Sequence, residues 1–320
     1  MPFPPGYSVR APMWEEASAL VAMMNRYASA YYSQADFTEQ HLRQQWKEPG
    51  FDLATDAWVV SAPDGQPVGY AYLWRWTQAK EEMRIGVQAL VHPECEGQGI
   101  GTALLQMGEK RGQELIPEAA PDARVYVMQM IGSNNAAARQ LLETQGYRET
   151  RHDWIMEITF AEAPPAPEWP NEISVRTFIR GQDDRRVYEA LEEAFQDHRG
   201  HRSGSFERWA QQVLQREHLD PTLWFLAVDG NEVAGVALCY TDPEAGIVGQ
   251  LGTRRPWRHK GLGMALLRQA FGEFYRRGLH RVQLGVDAES LTGATRLYER
   301  AGMQILDRLD RYEKDLRRGT

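Results

Sequence analysis

The segment Gly99-Ile100-Gly101-Thr102-Ala103-Leu104-Leu105 returns 162 residues later as Gly261-Leu262-Gly263-Met264-Ala265-Leu266-Leu267. Each copy follows an apolar, strand-like run and opens an apolar helical run. Strand, glycine turn and helix in that order aim backbone N–H groups and a helix N-terminus at one point, an arrangement suited to phosphate. The approaches to the two turns differ. The second passes through Arg254-Arg255-Pro256-Trp257-Arg258-His259-Lys260, with four fixed positive charges. The first passes through His92-Pro93-Glu94-Cys95-Glu96-Gly97-Gln98, with two negative ones. A polyphosphate favours the second turn, so the chain reads as a duplicated phosphate-binding fold with one working copy.

The rest of the chain repeats in step with the turns. Four prolines between Pro164 and Pro170 exclude helix and sheet and mark a stiff connector. The expected division is residues 1–163, a linker over 164–170, and residues 171–320. On either side comes a short first strand (Ser8–Arg10; Ile173–Arg176) and a helical stretch near 14–32 or 183–197. A hairpin follows around Asp64-Gly65 or Asp229-Gly230, because Asp-Gly supplies the positive φ that a two-residue turn needs. A fourth strand then feeds each glycine turn and a helix of about four turns, whose second copy carries the stripe Leu262, Ala265, Leu266, Ala270, Phe271, Phe274 and Tyr275. A fifth strand, a short helix ending at Gly146 or Gly302, and closing strands complete each half. This order describes a mixed α/β (α+β) domain present twice.

Charge is unevenly spread. Residues 1–163 carry 13 Lys and Arg against 21 Asp and Glu, whereas residues 164–320 carry 23 of each. That balance argues against nucleic acid and anionic membranes as partners. No apolar run approaches the ~20 residues of a membrane span, and Met1-Pro2-Phe3-Pro4-Pro5 does not read as a signal peptide. Two cysteines imply no disulfide framework, and the expected location is cytoplasmic.

Arg258-His259-Lys260-Gly261-Leu262-Gly263 resembles the Arg/Gln-x-x-Gly-x-Gly/Ala signature of the GNAT superfamily of acyl-CoA-dependent N-acetyltransferases, and Leu297-Tyr298-Glu299-Arg300-Ala301-Gly302-Met303 resembles that family's Leu-Tyr-x-x-x-Gly-Phe segment. The resemblance covers nearly the whole chain, once per half. It implies two tandem GNAT domains, each a mixed sheet whose fourth and fifth strands splay apart between helices. It also implies acetyl-CoA as co-substrate, a small-molecule primary amine as acceptor, and direct transfer in a ternary complex without metal. A sensor that binds acyl-CoA without chemistry, and acetylation of a protein or peptide N-terminus, are the alternatives. The oligomeric state, monomer or homodimer, is left open.

On that resemblance the coenzyme site comprises Leu251, Gly252, Thr253, Arg254, Arg258, His259, Lys260, Gly261, Leu262, Gly263, Met264 and Ser290. Glycines at 261 and 263 let the backbone approach the diphosphate, Arg258 and Lys260 add charge, and Arg254 or Arg255 extends towards the 3′-phosphate. Leu251 presents a backbone N–H to the thioester oxygen, and Ser290 is expected at a helix start. Tyr298 is the candidate catalytic acid, because a phenol of pKa about 10 stays protonated at neutral pH and can supply a proton to a leaving thiolate. No general base stands out; His198, in Asp197-His198-Arg199-Gly200-His201, is the candidate among side chains, and a water chain is the alternative. A metal site at His198 and His201 lacks further ligands, and Cys239 sits in an apolar run without an adjacent histidine. The first half departs at each point: Glu96 replaces the signature arginine, Gln98 replaces Lys260, and Leu142 replaces Tyr298, while Asn135 keeps the family's helix-start residue.

Overall fold

The computed structural model describes residues 5–34, 37–48, 50–76, 81–197, 204–214, 219–242, 245–289 and 293–319. The chain folds into two compact units, residues 1–152 with 307–320 and residues 153–306.

In the first unit β1 (Ser8–Arg10) leads through a short 3-10 turn to α1 (Ala17–Tyr31) and α2 (Glu39–Trp46). The α2 helix begins where the Thr38 hydroxyl accepts from the His41 N–H, a cap that satisfies one of the helix's free donors. The hairpin of β2 (Ala57–Ser61) and β3 (Pro67–Trp76) turns at Gly65, whose φ of 86° only glycine adopts cheaply. Then come β4 (Glu82–Val91), α3 (Ile100–Glu114), β5 (Arg124–Gly132), α4 (Ala136–Thr144) and β6 (Arg148–Thr159). The second half of the sequence repeats the order with β7 (Ile173–Thr177), α5 (Asp184–Phe195), the single turn α6 (Phe206–Trp209), β8 (Trp224–Asp229), β9 (Glu232–Thr241), β10 (Gly246–Thr253), α7 (Leu262–Arg276), β11 (Arg281–Asp287), α8 (Ala294–Arg300) and β12 (Gln304–Arg317).

Neither unit is closed by its own half of the sequence. The first runs β1-β2-β3-β4-β5-β12 and the second β6-β11-β10-β9-β8-β7. β12 pairs antiparallel with β5 from Leu309↔Gly132 to Arg317↔Val125, and β6 pairs antiparallel with β11 from Asp153↔Asp287 to Thr159↔Arg281. The expected division at residues 164–170 therefore differs from the division by packing, in which residues 153–163 belong with the second unit and 307–320 with the first. Apolar side chains explain the exchange. Tyr312, fully buried, joins Met83, Ile85, Val125 and Val127, while Met156 joins Leu266, Phe271, Phe274 and Leu284. Asp310, also fully buried, is held by Arg308 at 2.6 Å and Arg139 at 3.2 Å.

In both units the fourth and fifth strands are parallel and then part. β4 pairs with β5 from Glu82↔Arg124 to Gly86↔Met128, and β10 pairs with β11 only at Gly246↔Val282 and Ile247↔Gln283. Each glycine turn lies beyond the parting, at the end of β4 or β10.

Truncation of Tyr312 to alanine should cost about 3–5 kcal/mol, as for other buried aromatics. Hydrogen exchange should quicken in residues 125–131; quickening confined to residues 281–287 would overturn the exchanged pairing.

Candidate active site

In the second unit, Gly249 interrupts the ladder between β10 and β9, so that Val248 pairs with Cys239 and Gln250 with Leu238. The Tyr240 ring lies over this bulge, and a Cβ on Gly249 would come within 2.9 Å of it. Beyond the bulge the strand enters the turn. His259 (φ 61°) and Gly261 (φ 84°) are both left-handed, and Gly261 opens α7 without a side-chain cap. Alternating hands turn successive N–H groups to one side, and the first turn of α7 adds donors that have no helical acceptor. A left-handed histidine is costly, and the corresponding residue of the first turn is Gly97 (φ 74°).

Three of the turn's four cations are committed elsewhere. Arg258 donates to the Thr253 carbonyl (3.1 Å), the Ala194 carbonyl (2.9 Å) and the Asp197 carboxylate (2.5 Å). Arg255 meets the same carboxylate at 2.6 Å. These two guanidinium groups hold Asp197 far below the usual carboxylate range. Arg254 meets Glu193 (2.6 Å), Glu232 (3.1 Å) and the Val233 carbonyl (3.1 Å). Lys260 is exposed and has no carboxylate partner among the described residues. The arginines thus fasten the turn to the C-terminal end of α5, and Lys260 is left as the cation available to an arriving anion.

A cleft of about 360 Å³ opens between the parted strands and the turn. Its wall brings together Leu251, Gly252, Thr253, Arg258, His259, Gly261, Leu262, Gly263 and Met264 with Tyr298. Arg254 and Lys260 are not part of this wall, and Arg254 is turned to its acids. His198, His201 and Ser290 lie outside the described residues. The start of α8 is capped by Gly293 (φ 72°), not by the expected serine. Tyr298 is 8% exposed and packs among Met156, Leu284 and Met303. Burial pushes its phenol up to about 12. Cys239 is buried and its thiol is pushed well above the usual range, which removes it as a nucleophile at neutral pH.

Of the further residues in the wall, two bear on its chemistry and shape. Asp287, at the end of β11, places a carboxylate there; an acid ending a strand reads as an ordinary turn residue. Gly285 is the other. It is exposed, and a Cβ there would touch only Ile155, at 3.8 Å, so packing does not require glycine.

The first unit has its own cleft, of about 450 Å³. The glycine turn survives (Gly99, φ 82°), and the Asn135 side chain accepts from the Ala138 N–H at 2.8 Å to cap α4. The side chains around the turn differ. Leu142 occupies the place of Tyr298, and Glu96 faces the cleft, accepting from the Tyr31 hydroxyl at 2.5 Å. β4 runs against β3 in unbroken register, without the bulge of β10.

The profile of the Acetyltransferase (GNAT) family matches residues 20–147 and again residues 185–303. The chain belongs to the GNAT family. A GCN5-related N-acetyltransferase from Sphaerobacter thermophilus is 39% identical, with a TM-score of 0.87 over 100% of this chain and 98% of that one. A mycothiol acetyltransferase from Catenulispora acidiphila is 30% identical over 78% of this chain and 79% of its own length, and one from Salinispora arenicola 32% over 76% of each. A tandem GNAT protein from the clavulanic acid biosynthesis pathway shares the fold, with 16% identity and a TM-score of 0.72. Tandem GNAT architecture and coenzyme A-dependent acyl transfer therefore hold for this chain. Among the described residues no helix is long and apolar enough to cross a membrane.

If Arg258 fastens the GNAT turn rather than meeting ligand first, Arg258→Met should lower the melting temperature of coenzyme-free protein, with no rescue by Arg258→Lys, which lacks the planar fork. Lys260→Met should leave it unchanged. Equal effects in thermal unfolding would overturn the distinction.

Proposed function

We propose that the second unit is the catalytic one and that it moves the acetyl group of acetyl-CoA to the primary amine of a small molecule by direct transfer, in the cytoplasm. The observation that carries this reading is the buried phenol of Tyr298 in the wall of a cleft that also contains the glycine turn, where the first unit has Leu142. The mycothiol acetyltransferase relatives support an acceptor of small-molecule size.

In this reading the turn at His259–Met264 takes the diphosphate on backbone N–H groups and the α7 terminus, with Lys260 as the mobile counter-charge. Acetyl-CoA would supply the thioester, whose sulfur is the leaving group and departs with coenzyme A. The space beside Gly285 admits the pantetheine arm along the free edge of β10, and the Leu251 N–H faces the thioester oxygen. As the amine nitrogen bonds to the acyl carbon, the carbon–sulfur bond breaks. His198 takes the proton from the amine, and Tyr298 gives its proton to the sulfur. The high pKa of Tyr298 suits that role, since burial raises a thiol in the same surroundings too, as it does Cys239.

Tyr298→Phe should reduce turnover by roughly 10²–10⁴-fold, the usual worth of a positioned general acid. Coenzyme affinity and melting temperature should hold. Because the phenol is pushed up to about 12, any basic limb that it causes lies near that pH, and the wild-type rate should show no tyrosine-limited fall closer to neutrality. Full turnover in a well-folded Phe variant would remove Tyr298 from the reaction.

A second substitution locates the coenzyme. Gly285→Gln puts a side chain into the cleft wall and should abolish binding without loss of stability, since its Cβ meets only Ile155. Unchanged affinity by calorimetry would mean that the arm does not pass this strand.

A further inference from the structure

Coenzyme A carries its negative charge in two places, the diphosphate and the 3′-phosphate of its ribose. The glycine turn answers the first. The arginines expected near the second are engaged within the protein, Arg254 with Glu193 and Glu232 and Arg255 with Asp197. The wall of the second cleft holds one guanidinium besides that of Arg258. It belongs to Arg300, on the last turn of α8. Arg300 is exposed and has no carboxylate partner among the described residues.

An arginine near a helix C-terminus is ordinarily a solvated residue that suits the helix dipole. Two observations set Arg300 apart. The first is its place. Leu297, one turn earlier on α8, packs against the start of α7, where a Cβ on Gly263 would come within 3.3 Å of it. Residues three apart are neighbours on a helix surface, so Arg300 stands roughly 4–5 Å further along α8 from that contact. At about 360 Å³ the cleft is at the small end of ligand sites, and a ligand as long as coenzyme A lies with its nucleotide across the rim. The second observation is the other copy. There Leu141 makes the corresponding contact, 3.1 Å from a Cβ on Gly101, which fixes the register of α4 against α8. Three residues on, the place of Arg300 is taken by Thr144. Thr144 also lines its cleft, but it is neutral and its hydroxyl donates to the Gln140 carbonyl of its own helix at 2.7 Å. The free cation is found in the cleft that also has Tyr298.

We propose that Arg300 binds the ribose 3′-phosphate and makes the second unit selective for coenzyme A over its 3′-dephospho form. The planar guanidinium offers a phosphate two parallel N–H donors and stays charged at every working pH. Lys260 and the turn serve the diphosphate, and Arg300 serves the phosphate beyond it. The inference rests on the coenzyme reading of the second cleft, and it names a residue that decides which nucleotide that cleft prefers.

The test is calorimetry on the full chain with coenzyme A and 3′-dephospho-coenzyme A, which differ only in the phosphate at issue. The wild type should bind coenzyme A roughly tenfold more tightly. Arg300→Gln should bring the two affinities together by weakening coenzyme A alone, with the melting temperature unchanged. Arg300→Lys should keep part of the preference, since it retains the charge and loses the fork. Lys260→Met should weaken both ligands alike. A wild type without preference would overturn the proposal. So would a preference that survives Arg300→Gln, or a loss in that variant equal for both ligands. Gly285→Gln separates this proposal from the reading beneath it. If Gly285→Gln abolishes binding of both ligands while Arg300→Gln changes nothing, the coenzyme site stands and Arg300 is no part of it. If neither variant alters binding, or the wild type binds neither ligand, both readings fall.

Discussion

Parallel strands that part leave two rows of backbone N–H and C=O groups facing each other across a gap, and buried backbone polar groups need partners. That constraint organises both halves of the molecule. In the second unit the ladder ends after Ile247↔Gln283, and Gly285 adds no side chain to the gap beyond it. In the first unit the ladder persists to Gly86↔Met128, and glutamine amides then reach across, Gln129 to the Ala89 carbonyl and Gln88 to the Met130 carbonyl at 3.4 Å. One split is kept free for an extended ligand to complete. The other is partly completed by the chain itself, which changes what it can still accept.

Electrostatics around the second turn follow from a similar division of labour. Arginine is suited to planar, multidentate contacts, and Arg258 uses its guanidinium to join two carbonyls and a carboxylate around the end of α5. With Arg254 and Arg255 likewise paired, the run of positive charge is largely neutralised within the protein. Rigid pairs shape a turn, whereas a lysine on a flexible stem can follow a phosphate; Lys260 is the residue left to do so.

The fold was legible because its signals are local and doubled. Asp-Gly turns, the left-handed glycines at 146 and 302, and the apolar stripe of α7 each depend on a few neighbouring residues. The glycine turn was legible for the same reason. Three things were not. The pairing of Arg258 and Arg255 with Asp197 spans some sixty residues and reads in sequence as free positive charge. Asp287 reads as an ordinary turn residue at the end of a strand until the cleft wall places it. The helix start near Ser290 was misread because a serine there resembles a cap, whereas Gly293 holds that place.

The closing strands were the hardest to foresee, since either half could supply a last strand to its own sheet at the same local cost. Side chains break that symmetry. Tyr312 fills the core behind β5, and Asp310 brings buried charge that needs Arg139 of the first unit as well as its neighbour Arg308. Met156, Ile158 and Phe160 do the corresponding apolar work behind β11. Asp310 is the buried member of this cluster, held most closely by Arg308, whereas Arg139 is 42% exposed and keeps its hydration. Cutting the chain at the proline-rich stretch would therefore strip Tyr312 and Asp310 from the first unit and leave Arg139 without its acid. The two copies descend from one pattern, yet neither half carries all of one unit, so their separate capacities have to be read from substitutions in the intact chain.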